Sequence, residues 1–127
     1  MPATLVTAYK TAAGKVPIVE WLAELEDTDT NAYTKCLARI LELSERGHEL
    51  RRPHADILRD GVHELRASGT QYRILYFFYG RNVVALSHGV NKKGKVSPND
   101  IELAIARMNE VLADHEAHIV EFNIDEE

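Results

Sequence analysis

The thirty residues 61-GVHELRASGTQYRILYFFYGRNVVALSHGV-90 decide how this chain is read. Residues 62–68, 71–79 and 81–90 are rich in β-branched and aromatic types, which suit a pleated, half-buried surface. Gly69-Thr70 and Gly80 separate them, so an antiparallel meander of three strands is expected. A two-residue loop at Gly69-Thr70 pairs Ser68 with Gln71, and the same register sets Arg66 opposite Arg73 on one face. Like charges directly opposite each other destabilise a sheet. Either a neighbouring carboxylate such as Glu64 or an anionic ligand must then offset them, unless a bulge at Gly69 shifts the register. The other face shows Leu65, Ile74, Tyr76 and Phe78 and reads as core packed against helices, which makes Tyr76 structural.

Upstream, Ile18, Trp21, Leu22 and Leu25 recur at i, i+3, i+4 and i+7 behind Pro17, which predicts a first helix ending near Asp27. Asp29 or Thr30 can cap a second helix that buries Tyr33, Cys36, Leu37, Ile40, Leu41 and Leu43 and stops at Gly47. Residues 47–60 are expected to be irregular, because Pro53 in Arg51-Arg52-Pro53 bars continuation of that helix. Residues 4–9 mix β-branched and apolar types and suit a first strand. Downstream, Ser97-Pro98-Asn99-Asp100 resembles a capping box, and Ile101, Ala104, Ile105, Met108, Val111 and Leu112 keep helical spacing over 98–114. The reading is an α+β fold: an antiparallel sheet of about four strands, two N-terminal helices packed on it and a C-terminal helix. One domain spans residues 1–114, and the acidic tail 115–127 forms a short edge strand or stays disordered.

With 127 residues and 45% hydrophobic content the chain can enclose one core, and its single cysteine, Cys36, falls on the apolar side of the second helix as a core thiol. No segment approaches the ~20 apolar residues of a membrane span, so a cytoplasmic protein without a membrane partner is expected. The formal charge of −5 argues against a nucleic-acid ligand until its distribution is examined. Residues 51–95 hold nine basic and three acidic side chains, or +6; the remainder holds six basic and seventeen acidic, or −11. One basic region sits in an acidic molecule, as a local polyanion site requires, although solvated decoration would look similar.

Several chemistries find no motif here. The sequence has no phosphate-binding Walker loop, no Gly-x-Gly-x-x-Gly, no Cys-x-x-Cys and no His-Glu-x-x-His, so neither a metal nor a cofactor is expected. The densest positive stretch is Asn91-Lys92-Lys93-Gly94-Lys95, which is either a phosphate grip or a solvated loop that protects a sheet edge. What remains is charge stabilisation at a phosphate by Arg and Lys. RNA suits this better than DNA, since its own 2′-hydroxyl can attack the adjacent phosphorus once the strand is positioned.

Gly61-Val62-His63-Glu64-Leu65-Arg66, Tyr72-Arg73-Ile74-Leu75-Tyr76-Phe77-Phe78 and Leu86-Ser87-His88-Gly89-Val90-Asn91-Lys92-Lys93, in this order between a helix pair and a final helix with Ala104 and Arg107, resemble HigB-type toxins of the RelE/ParE superfamily. The resemblance covers roughly residues 4–112. It implies a RelE-like fold, a metal-independent endoribonuclease that cuts mRNA on the ribosome, and a cognate HigA-like helix-turn-helix antitoxin through which alone operator DNA would be met. Position by position, it implies Arg73 and Arg66 as the catalytic arginines. Lys92, Lys93, Lys95 and the upstream Arg52 then hold RNA phosphates, and His88 is a proton donor or base. His63, Val90 and Gly94 depart from the aromatic, phenylalanine and threonine common there. The same superfamily contains ParE-like proteins that poison DNA gyrase without catalysis, and a remnant that only binds its antitoxin is a third reading. The acidic tail would fold over the basic face or contact the antitoxin.

Overall fold

Residues 74–77 are buried on both faces of the sheet, which explains why Tyr-Arg-Ile-Leu-Tyr-Phe-Phe-Tyr runs apolar without a clean alternation. The structure, a computed structural model, describes residues 4–123. In chain order these form β1 (Leu5–Tyr9), α1 (Pro17–Thr28), α2 (Thr30–Arg46), a 3-10 turn (Gly47–Glu49), β2 (Ala55–Arg59), β3 (Val62–Arg66), β4 (Tyr72–Gly80), β5 (Val83–Asn91), α3 (Pro98–Ala113), a short α4 (His115–His118) and β6 (Ile119–Glu121). The sheet order is β2-β3-β4-β5-β1-β6. All neighbours are antiparallel except β1 and β5, which pair in parallel from Leu5 opposite Val83 to Ala8 opposite Leu86.

The helices follow their sequence signals. Pro17 opens α1; Asp29 caps α2 by accepting the Ala32 N–H at 3.1 Å; Gly47 ends α2 at φ +55°; and the Ser97 hydroxyl caps α3 by accepting the Asp100 N–H. On one face of the sheet α1 and α2 bury Ile18, Leu22, Cys36, Ile40 and Leu43 against Leu65, Ile74, Tyr76 and Leu86. Tyr76 is core as expected, and burial raises the Cys36 thiol to about 11, which makes it chemically inert. On the other face α3 covers Phe77 and Ala85 with Val111, and Val62 and Leu75 with Ala104. Two expected core positions, Leu41 and Leu112, are instead exposed at the rims of their helices.

The sheet has six strands where about four were expected. Residues 55–59 were read as irregular, yet they form edge strand β2 because Asp60-Gly61 makes a two-residue hairpin turn. Both turn residues take positive φ, +53° and +92°, the left-handed pair for which Asp-Gly is favoured. At the other edge, β6 is the short edge strand offered as one reading of the acidic tail, and it pairs Ile119 with Tyr9 and Glu121 with Thr7. Five strand steps, about 24 Å, separate β6 from β2. The described part of the tail therefore stays at the far edge rather than over the basic face; residues 124–127 lie outside the described residues. No described helix is long and apolar enough to cross a membrane.

Candidate nucleic-acid interface

Strands β3 and β4 hold Arg66 directly opposite Arg73 as expected, but the connection is longer than the two residues read from the sequence: β3 ends at Arg66, β4 begins at Tyr72, and between them the Thr70 N–H donates to the Ala67 carbonyl. Glu64, two residues before Arg66 and so on the same face, lies between them with its side chain only 3% exposed. Its Oε2 accepts Arg66 Nε at 3.1 Å and Nη2 at 2.9 Å, and its Oε1 accepts Arg73 Nη1 at 2.7 Å. Of the two ways to offset the like charges, the carboxylate is thus built into the chain. Arg73 also donates from Nη2 to the Gly94 carbonyl at 3.0 Å, which ties the strand to the lysine turn. Arg66 Nη2 reaches Asp56 Oδ2 at 3.5 Å, and the same oxygen accepts Arg52 Nε and Nη2, both at 2.9 Å. An alternating row results: Arg73, Glu64, Arg66, Asp56, Arg52.

The row floors a groove of about 560 Å³ whose apolar walls are Ile57, Leu58, Val96 and Ile101. Its charged lining is Arg52, Arg59, Arg66, Arg73 and Lys95 against Asp56 and Glu64, five minus two, or +3. This excess stands in a chain of net −5. The arginines differ in access: the Arg66 side chain is 35% exposed, Arg73 16%, with Nη1 on Glu64 and Nη2 on Gly94, and Arg52 74%. A guanidinium held along one edge by a carboxylate is already oriented for a phosphate oxygen on its remaining edge.

The structure gathers four of the seven candidate residues, Arg52, Arg66, Arg73 and Lys95, around this groove. Lys92 and Lys93 are exposed on the same turn but outside the lining. His88 is elsewhere. A bulge in β5, where Tyr76 faces Leu86 but Leu75 faces His88, turns this histidine beneath the start of α3. There Nδ1 lies 2.8 Å from Ser87 Oγ and Nε2 lies 3.2 Å from Asp100 Oδ1. Burial, with Arg107 adding, pushes its pKa below the ordinary histidine value, while Asp100 pulls the other way. Ser87, His88 and Asp100 stand in the order of a catalytic triad, but Ser87 is fully buried, so the row fastens α3 to β5 rather than presenting a nucleophile.

Asp56 and Arg59 were missed by sequence reading because β2 was not expected as a strand; Asp60-Gly61 was the available signal. Trp21 packs directly on Gly89: a Cβ there would sit 2.2 Å from the indole ring.

The family described as Phage derived protein Gp49-like (DUF891) matches residues 21–109. The chain belongs to the Gp49-like family. This is a family of RelE/HigB-type toxin-like proteins, associated with the toxins of toxin–antitoxin pairs and hence with an antitoxin partner. The match takes in every groove residue and leaves β1, α4 and β6 outside it. No curated protein matches the chain.

Proposed function

We propose that this Gp49-like chain is the toxin of a type II toxin–antitoxin pair and acts in the cytoplasm as a ribosome-dependent mRNA endoribonuclease of the HigB type. The observation that carries the reading is the pair Arg66 and Arg73, side by side on the floor of a +3 groove in an acidic protein. A 2′-hydroxyl attacking its neighbouring phosphorus builds charge on the non-bridging oxygens, and two fixed guanidinium groups stabilise that charge as it develops. Arg52 and Lys95 hold the phosphates on either side, while Lys92 and Lys93 meet the strand or ribosomal RNA beyond the groove. Buried under α3, His88 fastens Asp100 and through it the Ser97 cap, so it positions the lysine turn from behind. A HigA-like antitoxin neutralises the protein and brings it to operator DNA.

The test is to induce the protein without antitoxin and map new mRNA 5′ ends, with and without Arg73→Ala. In-frame cuts in translated messages that fall about 100- to 1,000-fold in the variant support the reading, as expected for loss of one transition-state donor. Growth arrest with intact messages overturns it in favour of a gyrase-directed toxin, and no arrest at all overturns it in favour of a protein that only binds its antitoxin.

A further inference from the structure

Among the described residues two carboxylates line the groove, and they are placed for different work. Glu64 is closed off, each oxygen facing an arginine. Asp56 lies directly opposite Glu64 in the β2–β3 register, so it faces the same side, yet at the sheet edge its side chain is 23% exposed. Its Oδ2 is taken by Arg52 and, at longer range, by Arg66. Oδ1 accepts a single backbone donor, the Ile57 N–H at 2.9 Å, and keeps a lone pair for another. Arg52 is the main cause that holds the Asp56 carboxyl below the usual range, so it is ionised wherever RNA would be bound. A negative charge in a site for a polyanion weakens binding, so in this arginine-rich groove Asp56 must contribute either by ordering Arg52 and Arg66 or by taking part in the chemistry, and Oδ1 is the oxygen the arginines leave over. No histidine lines the groove: His88 is buried, and His54 is engaged by Glu42 and Arg39 on α2.

We propose that Asp56 is the proton acceptor for the attacking 2′-hydroxyl. The inference rests on the ribonuclease reading above and adds the base that reading leaves unassigned. In the step, the O2′–H proton passes to Asp56 Oδ1 as the O2′–P bond forms and the P–O5′ bond breaks. The products are a 2′,3′-cyclic phosphate and a 5′-hydroxyl, whose oxygen takes its proton from water; Asp56 returns its own proton to solvent. Arg52 releases Oδ2 to hold the adjacent phosphate, since it is the most exposed of the groove's arginines.

The experiment compares wild type, Asp56→Asn and Asp56→Glu on programmed ribosomes under single-turnover conditions. Alongside it, anisotropy measures binding of a short RNA carrying a 2′-deoxy residue at the scissile position. For Asp56→Asn the expected result is a rate loss of about 100- to 1,000-fold with binding equal to or tighter than wild type, and recovery to within about tenfold by Asp56→Glu. Asp56→Asn that cleaves within about threefold of wild type overturns the proposal. So does a parallel loss of cleavage and binding, which would make Asp56 only the holder of Arg52 and Arg66. Wild-type protein that leaves the message intact brings down the ribonuclease reading itself, a failure visible before any variant is compared.

Discussion

Glu64→Gln isolates what the carboxylate does for the two arginines. The substitution keeps the shape of the side chain and removes one charge from a position only 3% exposed, where three guanidinium donations converge. Breaking a buried ion pair from one side costs about 3–5 kcal/mol. Two features reduce the cost here: Arg66 is about a third exposed and retains Asp56, and the Gln carbonyl still accepts from one guanidinium. The expected loss is about 2–3 kcal/mol. For a chain of this length that lowers the thermal midpoint by about 6–15 °C. The groove lining rises from +3 to +4, five basic minus one acidic, so a short RNA should bind the variant more tightly and restore more of its midpoint than it adds to the wild type. Scanning calorimetry with and without the RNA reads both effects. A variant as stable as wild type refutes the counterion argument, and one that is destabilised but binds RNA more weakly shows that the arginines need Glu64 for their placement more than they are neutralised by it.

Two further perturbations test the scaffold behind the groove. Gly89→Ala places a Cβ about 2.2 Å from the Trp21 ring and should cost about 1–3 kcal/mol, with much of the loss recovered when Trp21→Leu is added; urea unfolding of the single and double variants decides it. His63 and His88 both sit below the ordinary histidine value, each chiefly through burial, so the unfolded chain takes up protons that the folded chain does not. Stability is therefore present above the unfolded value of about 6.5 and declines as pH falls from there toward the lowered folded values. The urea midpoint should drop between pH 7 and pH 5. His63→Phe, which suits the stack on Tyr76 and the edge contact with Phe78, should flatten part of the drop, and an unchanged slope would remove His63 from the account.

Much of the site was legible because it rests on local pairing. The Arg66–Arg73 apposition followed from centring the turn on Gly69-Thr70 and from the period of a strand, even though the turn is wider than two residues, and Glu64 was already a candidate counterion at i−2 from Arg66. His88 was not legible as a buried group, because the bulge that turns it toward Asp100 leaves no mark in a run as uniformly strand-like as Leu-Ser-His-Gly-Val. Lys92, Lys93 and Lys95 could not be told apart by spacing. Only Lys95 follows Gly94, whose carbonyl is fastened to Arg73, and so only Lys95 comes round to the groove wall.

The sequence alone determined the α+β class, the starts of all three long helices, the meander, and the two arginines on one face. Each of these is written in side-chain period or in a cap within a few residues. Tertiary structure decided the rest: the edge strands β2 and β6, the parallel join of β1 to β5, the covering of the second sheet face by α3, and the entry of Asp56 and Arg59 into the site. Those depend on which distant segment supplies the partner hydrogen bonds or covers an apolar face. A short, charged strand reveals its pairing only when that partner is in place.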